Sequence, residues 1–262
     1  MKTNQFKIIA LFFAIGLTVL SACQKPDPDS QSAEDDARGS YIMADAFAVA
    51  NNEAGDDGSG KAAYPEGMTV DRDIDKHTVT ITFDNCDFRG KIRNGIIHVD
   101  YVLVPQRGLR AFNLVITFEN YIIDGDKVEG SIRTTFGGTY LIPEINVIAT
   151  NMKATFTDGK FISWSSDKTF KITEGFGDFD IDNNVLEISG TVTGTNRLEN
   201  DFTSVYDKVT LKRSCPDGYP VSGTVTITSD KGTTVIDYGD GTCDDIITVT
   251  NDGVTLTIHL NS

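Results

Sequence analysis

A chain of 262 residues with a formal charge of −15 is long enough for one large domain or two small ones, and too acidic to attract nucleic acid or anionic lipid headgroups. Hydrophobic residues at 39% and aromatics at 9% exclude a disordered chain, and 24 glycines suit a fold with many turns.

At the N-terminus, Lys2 and Lys7 lead into an apolar run over 8–20. The run is too short and too N-terminal for a lasting transmembrane helix and reads as an export signal. It ends in Leu20-Ser21-Ala22-Cys23, which resembles a bacterial lipobox. That resemblance implies cleavage ahead of Cys23 and lipidation of its thiol, making 1–22 a signal peptide and Cys23 the membrane anchor. Loss of Lys2 and Lys7 with the signal makes the mature chain more negative still. Residues 24–40 are polar, acidic and punctuated by proline, with nothing apolar to bury, and read as a tether. Asp27 and Asp29, close behind the anchor, look like the acidic export tags of surface lipoproteins in the Bacteroidota. Alanine-rich 41–51 favours a short helix, and the Gly, Asn and Asp residues of 51–60 break it. The expected organisation is a lipidated tether with a short helix over 23–60, then a β-rich domain over 61–262.

After Met68 the chain becomes runs of Val, Ile, Thr, Phe and Tyr separated by Gly, Asn and Asp. Strands are expected at 77–83, 92 with 96–104, 112–118, 128–136, 145–156, 161–165, 169–173, 186–194, 204–211, 221–228, 233–238, 246–250 and 254–260. Alternation is cleanest in 79–83, 221–227 and 254–258, each with an apolar and a threonine-rich face, so one face is buried and the other wet. Connections at 94–95, 124–126, 158–159, 182–184, 230–232 and 252–253 carry hairpin residues and are too short for parallel crossovers. The fold class is therefore all-β, a long antiparallel meander. Sequence leaves open whether it forms a folded-over sheet, a sandwich or an open half-barrel, with two lobes divided near 194–201 as one arrangement.

Two blocks are familiar together. The first runs Ile81-Thr82-Phe83-Asp84-Asn85-Cys86 into Gly90-Lys91-Ile92 and Gly95-Ile96-Ile97; the second is Asp237-Tyr238-Gly239-Asp240-Gly241-Thr242-Cys243-Asp244-Asp245. With Val128-Glu129-Gly130 and Val221-Ser222-Gly223-Thr224-Val225 between them, they resemble a set of Bacteroidota lipoproteins of unknown function over roughly 70–260. The resemblance implies a location, an outer-membrane lipoprotein on the periplasmic face or the cell surface, and no reaction. Asp84-Asn85 stands where that group has a glycine-rich turn.

Among the cysteines, Cys86, Cys215 and Cys243 remain after the anchor, in a disulfide-permissive compartment. A turn at 230–233 places Cys243 opposite about 220, and a bend at 216–218 brings Cys215 within reach of a Cys215–Cys243 disulfide. Cys86–Cys243 is the rival pairing. Asp237, Asp240, Asp244 and Asp245 sit with two glycines in a nine-residue loop able to offer oxygens to calcium, although a plain turn with capping aspartates explains it too. Asp178, Asp180 and Asp182 have calcium-loop spacing, but Asn183 and Ser189 at the sixth and twelfth positions exclude an EF-hand. Trp164 with Phe161, Phe170, Phe176 and Phe179 reads as core or as a ligand-lining cluster. No Gly-x-Ser-x-Gly or Ser-x-x-Lys motif is present, and His98 and His259 fall inside strands, so no catalytic residue or cofactor is assigned.

These readings describe a lipid-anchored, non-enzymatic envelope protein whose β body meets a protein, a glycan or an apolar ligand. A carrier sheltering a lipid in a curved sheet is the alternative, and a calcium-dependent adhesin a further one.

Overall fold

The computed structural model describes residues 28–54, 64–106, 109–139, 142–176, 183–215, 219–251 and 253–260. One helix, α1 (Pro28–Ala54), is followed by thirteen strands. They are β1 (Met68–Asp73), β2 (Thr78–Phe88), β3 (Lys91–Gln106), β4 (Leu109–Ile123), β5 (Asp126–Gly138), β6 (Pro143–Thr155), β7 (Phe161–Glu174), β8 (Val185–Thr195), β9 (Asp201–Lys212), β10 (Pro220–Ser229), β11 (Gly232–Asp240), β12 (Ile246–Asn251) and β13 (Val254–His259). Every strand pairs antiparallel with its sequence neighbours in a single sheet ordered β1 through β13, an open all-β meander.

Two-residue alternation builds the sheet. In β2, Val79, Ile81 and Phe83 are buried while Thr78, Thr80 and Thr82 are not, and Ile97, Val99, Leu114, Ile116 and Ile132 continue the same buried face across β3 to β5. Two strand expectations need correction. The runs 161–165 and 169–173 are one strand, β7, because Ser166 and Lys168, which look like a polar break, point inward and are buried. Strand β1 was not expected, because Thr69, Asp71, Arg72 and Asp73 disguise it; its inward-facing Arg72 is paired with a helix carboxylate. Nor is there a joint near 194–201. That stretch is a hairpin turn between β8 and β9, closed by Asn196 N–H to the Asn200 carbonyl, and Thr195 stands opposite Asp201.

A line of irregular pairings crosses the sheet from β2 to β11. It passes between Phe83 and Cys86, Asn94 and Ile96, Thr117 and Tyr121, Glu129 and Ser131, Ala149 and Met152, Ile188 and Gly190, and Ser222 and Thr224. Only the β7–β8 ladder is regular along this line, its own shift lying between Ile172 and Glu174. Each bulge bends its strand and adds twist, so a line of them makes the sheet curl. Asn94-Gly95, expected as a hairpin turn, is therefore a bulge inside β3. At φ 86° Gly95 lies against the Asn120 carbonyl, which a Cβ would meet at 2.2 Å, and Asn120 itself takes φ 48°.

The curl encloses α1. No residue from Ser30 to Ala54 is exposed, and Ile42, Met43, Phe47, Val49 and Ala50 join the same core as the sheet's inner face. Burial of each large apolar side chain contributes about 1.5–3 kcal/mol. The tether expectation is thus wrong from Pro28 onward. Residues 28–40 are the first half of a 27-residue helix, and Ser32, Asp35, Asp36, Arg38 and Ser40 meet bonding partners on the sheet and its turns. Close approach needs Gly39, whose missing Cβ would stand 3.0 Å from the Trp164 ring.

Two connections are pinned together by the Cys215–Cys243 disulfide, Cα to Cα 5.3 Å, which links the β9–β10 connection to the β11–β12 connection. A closed loop of 28 residues is worth about 3–4 kcal/mol in the chain-entropy account. Cys86 is a buried free thiol.

In solvent-exposed helices Gly→Ala stabilises by about 1 kcal/mol. Here Gly39→Leu is expected to destabilise by more than about 2 kcal/mol through crowding of Trp164. Trp164 is the sole tryptophan, so its emission reports the site directly. A urea melt followed by Trp fluorescence with an unchanged midpoint would show that the helix is not seated where the structure puts it.

Candidate functional site

The seam between α1 and the sheet holds most of the chain's buried charge. Asp45 grips Arg93 through two hydrogen bonds, Nη1 to Oδ2 at 2.6 Å and Nη2 to Oδ1 at 2.9 Å, while Arg93 also donates to the Tyr121 hydroxyl and lies over the Phe83 and Phe88 rings. Burial works against the Arg93 charge, but the Asp45 and Tyr121 hydrogen bonds and the Asp45 carboxylate outweigh it and raise its pKa above the usual guanidinium range. Further along α1, Glu53 accepts from Arg72 and from the Tyr64 hydroxyl. Toward the other end, Asp35 accepts from the Arg197 backbone N–H at 2.8 Å and its Nε at 2.7 Å, and the Asn196 amide donates to Ser32 Oγ. Arg38 reverses the polarity by pairing with Asp126 at the start of β5.

In the middle lies a fully buried amine. Lys168 of β7 donates to Ser40 Oγ at 2.8 Å, and its ammonium sits 3.7 Å from the centre of the Tyr206 ring, whose hydroxyl donates to Asp36 at 2.9 Å. Burial pulls the Lys168 pKa down to about 8 against the opposing charge of Asp36. Burial and the same carboxylate push the Tyr206 and Tyr238 hydroxyls well above their ordinary range. The amine, carboxylate and hydroxyls face one another across the seam, and they latch helix to sheet.

On the outer face, a groove of about 560 Å³ runs across β3, β4 and β5 beside the β1–β2 turn. Asp100, Val115 and Arg133 occupy paired positions on the three strands, with Val102 and Asn113 in the next row. Their strand neighbours Val99, Leu114 and Ile132 are buried toward α1, so these side chains face outward. Tyr101, paired with buried Leu114, points to the other face and packs against the core, its ring stacked on His77 at 5.4 Å between centroids. The outward carboxylate, guanidinium and amide are suited to a polar ligand.

The remaining expected site residues fall elsewhere. Asp237 accepts from Gly239 N–H, Asp240 from Thr242 N–H and hydroxyl, and Asp244 from Ile246 N–H, while Asp245 meets His259. Three of these carboxylates cap their own turns and the fourth meets a histidine, and hydrogen bonds from Thr242 hold Asp240 below the ordinary range. Among the described residues no group of three or more His, Cys, Asp or Glu forms a metal site. The loop is a capped turn closed by Cys243. Trp164 is buried with its Nε1 donating to Met43 Sδ at 3.4 Å, which makes it core, and Phe161 lies at the exposed start of β7. His98 pairs with Glu119. Cys23, Asp178, Phe179, Asp180 and Asp182 lie outside the described residues. The seam escaped sequence reading because its acids and their donors are far apart in the chain, Asp45 and Arg93 by 48 positions and Asp36 and Tyr206 by 170.

Compared with models of protein families, with curated proteins and with solved structures, the chain matches none.

Removing one partner of a buried pair strands the other, so Asp45→Ala is expected to destabilise by about 3–5 kcal/mol, with Asp45→Leu/Arg93→Met recovering most of the loss. A loss under about 1 kcal/mol in urea titration would contradict a dry, paired Arg93. The Lys168 amine has a folded pKa of about 8 and an unfolded value of about 10.4. Its penalty on the folded state is complete below pH 8 and fades as pH rises toward 10.4. The parent chain should therefore gain stability relative to Lys168→Met between pH 8 and 10. Parallel pH–stability curves for the two would refute it.

Proposed function

We propose that the chain is a lipid-anchored envelope lipoprotein, held to the outer membrane through Cys23, whose β body is a non-enzymatic binding or structural module. One observation carries this reading: the helix that fills the body's interior begins at Pro28, five positions after the Cys of the Leu20-Ser21-Ala22-Cys23 motif. Five positions span at most about 18 Å of extended chain, so the anchor would hold a folded body close against the bilayer. The turns near the start of α1, with Asn196 and Arg197, would then lie toward the membrane.

The same helix bears on the choice of ligand. A carrier needs an open apolar concavity, and α1 occupies that face, bonded along its length. The outer groove, with Asp100, Arg133 and Asn113, supports instead a polar partner, a glycan or a protein segment. The capping role of Asp237, Asp240 and Asp244 withdraws support from the calcium-dependent adhesin.

Cys23→Ala is the test. The parent should take up labelled palmitate and partition into detergent, whereas the variant should take up none and keep an unchanged circular dichroism spectrum. A parent that takes up no label would overturn the anchor, and a variant that loses its fold would overturn a body that folds without it.

A further inference from the structure

The two ends of the open sheet differ in chemistry. At the β1 edge, Met68 is buried, Arg72 is held by Glu53, and the outward positions include Asp71. Such charge and cover are the usual guards of a strand edge. The β13 edge has none of them. Five of its six residues are exposed, with Val254 at 64% and Leu256 at 55%, and it carries no Lys, Asp, Glu or Pro and no bulge. Among the described residues, β13 pairs only with β12, and the outward N–H and C=O groups of Thr255 and Thr257 have no strand beside them.

Side-chain order on β13 is self-complementary. Ile258 stands opposite Ile247 and Leu256 opposite Val249, so Val254, Leu256 and Ile258 extend the apolar inner face beyond α1. Thr255 and Thr257 stand opposite Thr250 and Thr248 on the outer face. The geometry points to a second copy of this chain as the occupant, pairing β13 with β13 antiparallel about a two-fold axis through Leu256. In that register Leu256 faces Leu256, Val254 faces Ile258, and Thr255 faces Thr257, so each face meets its own kind. A one-residue slip would set Leu256 against threonine, and a two-residue slip, with its axis through Thr257, would set Thr255 against His259, so the axis through Leu256 is the register that keeps each face to its own kind. An isologous contact also closes the assembly at two, whereas β13 on the β1 of another copy would grow without limit. Two acidic chains, each −15 even before the leader is lost, repel, and 254–258 of β13 is an uncharged strip through which they can meet. Added salt screens that repulsion and should strengthen the dimer, the reverse of an ion-paired interface.

The proposal is tested on the full mature chain carrying Cys23→Ala, by light scattering across a concentration series at low and high salt. A monomer–dimer equilibrium that tightens with salt is expected. Leu256→Lys places like charges face to face and should raise the dissociation constant by more than about tenfold. Leu256→Cys should form a disulfide-linked dimer under mild oxidation, because directly opposed Cβ atoms lie about 4.5–5.5 Å apart, while Thr257→Cys should not. A chain that stays monomeric, oligomers that grow past two, a dimer indifferent to Leu256→Lys, or cross-linking through Thr257→Cys in place of Leu256→Cys would each overturn the proposal.

Discussion

A thirteen-stranded meander with one apolar face must cover that face, and everything else in this molecule answers to that need. A flat sheet of this width exposes its hydrophobic side; a closed barrel of thirteen strands would leave a wide lumen. The chain takes a third course and curls around its own helix. Arg93 with Asp45, Arg72 with Glu53 and Arg197 with Asp35 then fix the helix along its length, each pairing a helix acid with a cation of a strand or, for Arg197, of the β8–β9 turn. Apolar burial supplies the drive, and the ion pairs set the position, since a helix slid by one turn would strand each of those acids.

The curl depends in turn on the backbone. Bulges placed strand after strand form one oblique crease, and residues with positive φ, such as Gly95, Asn120, Gly130 and Asn151, lie along it. The crease bends the sheet where the helix requires it.

Strands were legible because alternation of Val, Ile and Thr is a local signal that survives without knowledge of the fold. The disulfide between Cys215 and Cys243 was approachable from hairpin counting for the same reason. Helix α1 was not. Ser32, Asp35, Asp36 and Ser40 are polar, and a polar run with no apolar stripe reads as solvated, yet each of these side chains is buried against a partner found far along the chain. Gly95 misled in the opposite sense, since Asn-Gly is the strongest hairpin signal and here marks a crease within a strand. Both failures have one physical cause, which is that polar and flexible residues are interpreted by what surrounds them, and the surroundings are non-local.

The central position of α1 also constrains how the molecule comes to exist. Its residues are among the first in the chain, but the hydroxyl that meets Asp36 belongs to Tyr206, 170 positions later. A helix containing Gly39 and so many unpaired acids has little stability alone, because isolated helices are marginal even with favourable sequences. It therefore waits for its cage. Contacts of such high sequence separation carry a large loop-closure entropy and fold slowly, so the chain must be kept from premature collapse until nearly all of it is available. A long unfinished meander is thus made before its organising segment, which precedes every strand, is put to use.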